Sequence, residues 1–223
     1  MTEFELINFN NHFLFSSNGQ IILLDTGAPS TVSNEKQLLL LDKNNAVLQQ
    51  YLGVTVETLS EHVGTKIDVL LGADILSHYS VSISLKTGKI VFSENNDNQE
   101  GDTFPFELFM GIPVISFLLN GTSYKGFLDT GAPLSYLKAN MTRNLPINGR
   151  QTDFYVGYGQ FITTTYAGVV QISKQSFPAK FGCLPLVLET MLMMAGVSGI
   201  IGFDFFNSFD VLIDYKNKKI TVC

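Results

Sequence analysis

Two identical six-residue segments contain the side chains that are most suited to chemistry. Residues 24–29 have the sequence Leu-Asp-Thr-Gly-Ala-Pro, and residues 128–133 repeat that sequence 104 positions later. Each segment places a carboxylate, a hydroxyl and a glycine directly after an apolar run, which predicts a buried strand that turns sharply at the glycine. A carboxylate in such a place must be hydrogen-bonded, paired with another group or used in chemistry.

One copy of this motif has an ordinary structural interpretation, in which the aspartate accepts a hydrogen bond from its own turn. Two copies favour a different interpretation, in which the two aspartates form a pair. If two similar lobes pack about a pseudo-twofold axis, the turns meet at that axis and bring Asp25 beside Asp129. Two carboxylates that close cannot both ionise freely, so the pair would share one proton over a wide pH range.

A second repeat, at an offset of 130, supports two similar lobes. Residues 70–76 correspond to residues 200–206, and the Val, Ile and Lys positions of 81–90 correspond to those of 211–220. Residues 93–102, between the two copies, have no apolar side chain, which is typical of an exposed linker. The sequence therefore predicts a first lobe (residues 1–93), a linker (94–103) and a second lobe (104–223).

The secondary structure is expected to be mostly antiparallel β, because runs rich in Val, Ile and Phe are separated by Gly, Asn and Asp. Short helices are predicted at 56–62 and 188–195, and residues 33–52 are expected to be partly helical or looped. The apolar segment 185–203 contains Glu189 and three glycines. These residues favour a short buried helix followed by a buried strand over a membrane span.

These motifs resemble those of small, single-chain, pepsin-like aspartic proteases, and the resemblance covers nearly the whole chain. The residues that carry it are the two Asp-Thr-Gly motifs, each followed later by two apolar residues and a glycine, at 70–72 and 200–202. The resemblance implies an all-β, bilobal pepsin-like acid protease fold. In that fold two lobes related by a pseudo-twofold axis enclose an interlobe cleft, and helices are few and short.

By this resemblance, Asp25 and Asp129 are the catalytic residues and activate a water molecule. The supporting residues that it implies are Thr26 and Thr130, which brace the two loops through their hydroxyls, and Gly27 and Gly131, which let the backbone approach the carboxylates. The implied reaction is peptide-bond hydrolysis without a metal, another cofactor or a covalent intermediate. Which aspartate holds the proton is left open, because the two titrate as a coupled pair.

Two departures from the pepsin pattern lie directly after the motifs. Ala28 and Ala132 stand where pepsins usually have Ser or Thr, although retropepsins also have Ala there. Fewer donors to the anion predict a higher pKa of the pair and a less acidic optimum than that of pepsin. Pro29 and Pro133 each remove one N–H donor from the turn.

A flap is predicted in the second lobe, which has 26 more residues than the first between Asp-Thr-Gly and the later glycine. Residues 153–172 include β-rich flanks around a Gly-Tyr-Gly sequence, which is typical of a long hairpin with a flexible tip. Tyr158 and Gly159 resemble the Tyr-Gly of pepsin flaps, although that flap belongs to the first lobe. We expect these two residues to bind substrate; the alternative is an ordinary surface tyrosine on a hairpin.

Composition limits the partners. The chain has 14 Lys and Arg against 20 Asp and Glu, a formal charge of −6, and no basic stripe, so nucleic acid is not an expected partner. The N-terminal residues show no signal-peptide pattern, which predicts a cytoplasmic protein and leaves export by another route open. Two cysteines and three scattered histidines predict neither a disulfide framework nor a metal site, so no cofactor is expected. Both halves of the site lie in one chain, so a monomer is sufficient.

The expected function is that of an aspartic endopeptidase acting on extended, hydrophobic peptide or protein segments. One alternative is a pepsin-like peptide-binding module that is inactive or has very narrow specificity. The Ala-Pro turns and the missing first-lobe flap favour this alternative, whereas two buried, mutually repelling carboxylates favour the enzyme. A processing enzyme for a single protein is a third interpretation, and the sequence does not separate it from the module.

Overall fold

The structure of the protein is a computed structural model that describes residues 1–94, 100–155 and 158–223. Strands make up most of the described part, and its helices are few and short. The all-β class predicted from the sequence is therefore confirmed. Residues 95–99 of the predicted linker lie outside the described residues.

The first lobe contains ten strands and two helices. In chain order they are β1 (Thr2–Glu5), β2 (Ile7–Phe9), β3 (His12–Ser17), β4 (Gln20–Leu24), β5 (Val32–Ser33), β6 (Gln37–Leu40), β7 (Lys43–Ala46), α1 (Val56–Val63), β8 (Val69–Leu71), α2 (Ala73–Leu76), β9 (Ser80–Ser84) and β10 (Lys89–Ser93). The helix predicted at 56–62 is confirmed as α1. The Thr55 hydroxyl accepts a hydrogen bond from the Thr58 N–H at its start, and Gly64 ends it with a φ of 84°.

Residues 33–52 contain no helix, so the helical alternative is wrong there, and the segment consists of strands joined by turns and loops. Strands β6 and β7 form a two-stranded hairpin with Leu40 opposite Lys43. Leu38 and Leu40 are buried, whereas Leu39 between them is exposed. This alternation has the period of a strand, and it places both buried leucines in the core.

The first strand after residues 95–99 starts at Asp102, within the segment 94–103 that is predicted to be a linker. Its elements are β11 (Asp102–Pro105), β12 (Glu107–Phe109), β13 (Ile112–Leu119), β14 (Thr122–Leu128), β15 (Ser135–Leu137), a 3-10 turn (Ala139–Met141), β16 (Ile147–Tyr155), β17 (Gly159–Ile172), β18 (Gln175–Cys183), α3 (Leu186–Met194), β19 (Gly199–Ile201), α4 (Phe203–Ser208), β20 (Val211–Asp214) and β21 (Lys219–Val222).

The apolar segment 185–203 forms a helix and then a strand, as predicted. The helix, α3, begins two residues earlier than expected, at Leu186, and only part of it is buried. Its inward residues are Leu188 and Leu192, whereas Leu186 and Met194 are among its exposed ones. In the described part of the chain, no helix is long and apolar enough to cross a membrane.

Two sheets repeat one strand arrangement around the two Asp-Thr-Gly motifs. In the five-stranded sheet β2-β3-β4-β8-β5, strands β4 and β8 are parallel and β5 is antiparallel to β8. In the eight-stranded sheet β12-β13-β14-β19-β15-β18-β17-β16, strands β14 and β19 are parallel and β15 is antiparallel to β19. The repeat in the sequence is thus also a repeat in the structure.

A six-stranded sheet joins the two lobes, in the order β1-β10-β9-β20-β21-β11. Strands β9 and β20 pair antiparallel at its centre, with Val81 opposite Ile213 and Ile83 opposite Val211. All four of these side chains are fully buried in a core that contains residues of both lobes. The sheet therefore fixes the two lobes relative to each other beneath the Asp-Thr-Gly motifs.

Candidate active site

Each Asp-Thr-Gly motif begins where a central strand ends. Asp25 follows β4, and its N–H donates a hydrogen bond to the Leu71 carbonyl at 3.0 Å. Asp129 follows β14, and its N–H donates to the Ile201 carbonyl at 2.9 Å. The parallel pairs β4–β8 and β14–β19 are thus extended by one residue, so the strands themselves position both aspartates.

The two threonines bind each other's loops across the lobe boundary. The Thr26 N–H donates to the Thr130 hydroxyl at 2.9 Å, and the Thr130 N–H donates to the Thr26 hydroxyl at 3.0 Å. Each hydroxyl also donates to a carbonyl of the opposite lobe, that of Leu128 or Leu24, at 2.8 Å. Both threonines are fully buried. The two hydroxyls therefore brace the loops against each other, in the arrangement that the resemblance implies.

Gly27 and Gly131 lie directly against the carboxylates of the opposite lobe. Each glycine N–H donates to the aspartate of its own motif, at 2.9 Å for Asp25 and 2.8 Å for Asp129. A β-carbon on Gly131 would lie 2.5 Å from Cγ of Asp25, and one on Gly27 would clash with the Asp129 carboxylate. Only glycine fits at either position, so the structure places all six predicted motif residues together.

The later glycines allow a second close backbone contact behind the motifs. A β-carbon on Gly72 would lie 2.6 Å from the carbonyl carbon of Ser30. The Gly72 N–H donates to the Thr31 hydroxyl and the Gly202 N–H donates to the Ser135 hydroxyl, both at 3.0 Å. Thr31 and Ser135 lie 104 positions apart, as the two motifs do. Sequence reasoning missed them, although the same offset could have identified them.

Burial raises the pKa values of both carboxyl groups, and each group also affects the pKa of the other. Burial raises the pKa of Asp25 well above its usual range, and the charge of Asp129 and a side-chain hydrogen bond to it raise that pKa further. Burial also raises the pKa of Asp129, although backbone N–H groups of the turns and a side-chain hydrogen bond from Asp25 favour its anion. The pair therefore holds one proton at pH values where isolated aspartates are ionised.

Comparison with known proteins found similarity to solved structures only. No protein-family model matches it, and no curated protein is similar to it in sequence. Among solved structures it is similar to the foamy viral protease-reverse transcriptase in complex with an RNA/DNA hybrid, with a TM-score of 0.33 and 14% identity. That likeness covers 41% of this chain and 11% of the viral one.

A cavity of about 440 Å³ lies over the carboxyl pair. Its lining from the first lobe is largely apolar and includes Leu23, Val32, Val54, Leu59 and Leu70. Its lining from the second lobe includes Phe109, Ile112, Phe127, Ala132 and Ile200. The carboxylates therefore lie between two apolar walls, one from each lobe.

The long hairpin predicted for the second lobe is formed by β16 and β17, with Tyr155 opposite Gly159 next to the tip. Val156 and Gly157, which include part of the predicted Gly-Tyr-Gly tip, lie outside the described residues. Tyr158 is 46% exposed and packs edge-on against Phe161. Neither Tyr158 nor Gly159 is among the described residues that line the cavity, and their role in substrate binding stays a prediction.

Tyr155 is the tyrosine of the hairpin that lines the cavity. Burial raises its pKa to about 12, and the nearby charges of Asp129 and Asp25 contribute in the same direction. Its hydroxyl therefore stays protonated and remains a hydrogen-bond donor near the carboxyl pair. Alternation along β16 places residues 153 and 155 on one face, a signal that could have identified Tyr155 from the sequence.

Two further contacts connect the hairpin to its surroundings. Phe154 stacks on His62 of the first lobe, with ring centroids 3.5 Å apart and planes 20° apart. Asp153 accepts a short hydrogen bond from the Tyr136 hydroxyl. Among the residues that the structure describes, no three His, Cys, Asp or Glu side chains are grouped as metal ligands.

Proposed function

We propose that the protein is an aspartic endopeptidase that uses Asp25 and Asp129 to hydrolyse peptide bonds. The observation that carries this proposal is the buried pair of carboxyl groups, whose loops are held together by reciprocal threonine hydrogen bonds. A buried pair of like charges destabilises a protein, so its presence on a cavity floor favours a catalytic role.

In the proposed mechanism, the carboxylate that is ionised takes a proton from a water molecule. The other carboxyl keeps its proton and donates a hydrogen bond to the scissile carbonyl. The water oxygen attacks the carbonyl carbon, and the hydrogen bond stabilises the negative charge that develops on the carbonyl oxygen. The tetrahedral intermediate then collapses as the leaving amine accepts a proton, and no bond to the protein forms.

The cavity suits an extended peptide between the lobes. Apolar side chains of the peptide would contact the two apolar walls, and the edge of the β16–β17 hairpin would pair with the peptide backbone. The Tyr155 hydroxyl would donate a hydrogen bond near the reacting carbonyl. The substrate class proposed here is therefore an extended peptide segment with hydrophobic residues.

Cleavage of a diverse peptide pool tests this function, measured from about pH 3 to pH 7, where a carboxylate pair should titrate. Wild-type protein is compared with Asp25→Asn and Asp129→Asn. The control is Asp42→Asn, which removes an exposed carboxylate from the β6–β7 turn. We expect wild type and the control to cleave, and both pair variants to lose cleavage.

Two results would contradict the proposal. Cleavage that survives in both folded pair variants would show that the carboxyl pair is not the catalyst. Binding of peptides without cleavage at any pH would favour the peptide-binding module instead. A maximum of activity near pH 2 would leave the catalyst in place but contradict the predicted effect of Ala28 and Ala132 on the pKa of the pair.

A further inference from the structure

Acidic side chains outnumber basic ones in the lining of the cavity. Three carboxylates line it, those of Asp25, Asp129 and Asp153, together with two histidines, His12 and His62. Neither lysine nor arginine is among its described lining residues. Asp25 and Asp129 share a proton, whereas Asp153 lies on the hairpin and has no carboxyl partner.

The carboxylate of Asp153 is held in place by two uncharged donors. The Tyr136 hydroxyl donates to Oδ2, and the Phe154 N–H donates to Oδ1 at 2.8 Å. In the described part of the chain, no lysine or arginine forms an ion pair with it. A largely buried carboxylate is stabilised by a cation, and no lysine or arginine among the described residues serves that purpose.

His12 is the histidine whose charge acts on Asp153, and it is a poor counter-ion. Burial lowers the pKa of His12, although backbone carbonyls and Asp153 oppose this effect. At neutral pH the imidazole is therefore neutral. Its buried Nδ1 atom has no hydrogen-bond partner among the described residues.

The two lobes present different turns to the cavity. Residues 10–12 of the β2–β3 turn are Asn, Asn and His, whereas residues 110–112 of the equivalent β12–β13 turn are Met, Gly and Ile. Burial raises the pKa of Asp153, whereas the hydrogen bonds from Tyr136 and Phe154 and the charge of His12, beside the polar turn, favour its anion. The part of the lining formed by Asp153, Asn10, Asn11 and His12, called here the polar end of the cavity, is therefore polar and acidic, whereas Met110 and Ile112 contribute apolar side chains.

From these contacts we propose that the polar end of the cavity binds a lysine or arginine side chain of the substrate, with Asp153 as its counter-ion. This inference rests on the proposed endopeptidase function. It adds a substrate preference that differs from one subsite to another. One subsite prefers a basic residue, and the others prefer apolar residues. Asp153 would be a specificity-determining residue that touches the substrate and takes no part in bond cleavage.

Peptide binding to the Asp25→Asn protein tests this specificity without turnover. Each peptide has the same apolar sequence except for one variable residue, which is placed at each position in turn. The variable residue is arginine, lysine, glutamate or norleucine, and norleucine is an uncharged residue with a side chain of similar length to that of lysine. Binding is followed by fluorescence anisotropy. At one position we expect arginine and lysine peptides to bind about tenfold more tightly than the norleucine peptide, a difference of about 1.4 kcal/mol.

Matched variants in the Asp25→Asn background identify the counter-ion. Asp153→Asn should abolish the tenfold preference, Asp153→Glu should restore part of it, and Asp42→Asn should leave it unchanged. Thermal melting of each variant establishes that it is folded, and the preference should weaken as salt is added.

The outcomes separate the two proposals. Equal binding of arginine, lysine and norleucine peptides at every position overturns the specificity, as does a preference that persists in folded Asp153→Asn. In either case cleavage by wild type would still support the endopeptidase. If no peptide binds and wild type cleaves none, the proposed function itself fails, and the specificity fails with it.

Discussion

The carboxyl pair makes the stability of the protein depend on pH. In the unfolded chain, aspartates ionise near pH 4, about their ordinary pKa. In the folded protein, burial raises the pKa values of Asp25 and Asp129, so the native state binds more protons than the unfolded state above that pH. The contribution of the pair to the free energy of unfolding is therefore fully present below about pH 4. It falls as the pH rises through the raised pKa values.

Asp25→Asn should reduce this dependence, because one member of the pair no longer titrates. We expect the variant to be more stable than wild type at pH 7 by at least about 1 kcal/mol, since a tenfold change in proton affinity is worth about 1.4 kcal/mol. The difference should shrink towards pH 4. Urea unfolding at both pH values measures it, and a difference that does not change with pH would contradict the raised pKa.

The hairpin formed by β16 and β17 carries two tyrosines close to its tip, and only Tyr155 lines the cavity. We expect Tyr155→Phe to lower kcat/KM about tenfold, a loss of about 1.4 kcal/mol of transition-state stabilisation. Tyr158→Phe is the matched control, because Tyr158 is half-exposed. Its kcat/KM should change less than twofold.

Kinetic measurements on the same peptide substrate distinguish the two tyrosines. A larger loss in Tyr158→Phe than in Tyr155→Phe would assign the flap role to Tyr158, as the sequence alone predicted. Equal, small losses would mean that neither hydroxyl takes part. Because both variants keep the aromatic ring, packing against Phe161 and the lobe is retained in each.

The parts of the site that the sequence predicted are those fixed by local repeats. Asp25 and Asp129 follow central strands whose neighbours, ending at Gly72 and Gly202, are also repeated in the chain. Their pairing could be predicted because each copy needs only its own lobe and a symmetric partner. The hairpin and the short helices followed in the same way from alternation and composition.

The polar end of the cavity could not be predicted in this way. His12, Tyr136 and Asp153 belong to three separate elements, and no motif connects them in the sequence. Their proximity depends on how the hairpin folds back over the opposite lobe. The secondary structure of residues 33–52 could not be predicted for a related reason. Leu39 and its neighbours suit either a helix or a strand, and contact with the core decides between them.

The six-stranded sheet makes the two lobes one cooperative unit. Ile83 in β9 and Ile213 in β20 come from different lobes, are both fully buried and belong to the same core. Replacing either with alanine should cost about 2–5 kcal/mol of unfolding free energy, because each leaves a cavity among packed side chains. Val169→Ala, at a position that is 61% exposed on β17, is the control and should cost far less.

Because the two isoleucines share one core, each variant should shift a single unfolding transition. Urea unfolding can be followed by circular dichroism and by tyrosine fluorescence, since the chain has no tryptophan. Coincident curves from both probes are the mark of two-state unfolding. Two separate transitions, with Ile83→Ala shifting one and Ile213→Ala the other, would mean that the lobes unfold independently. The carboxyl pair would then be lost when the first lobe unfolds, because the threonine hydrogen bonds need both loops.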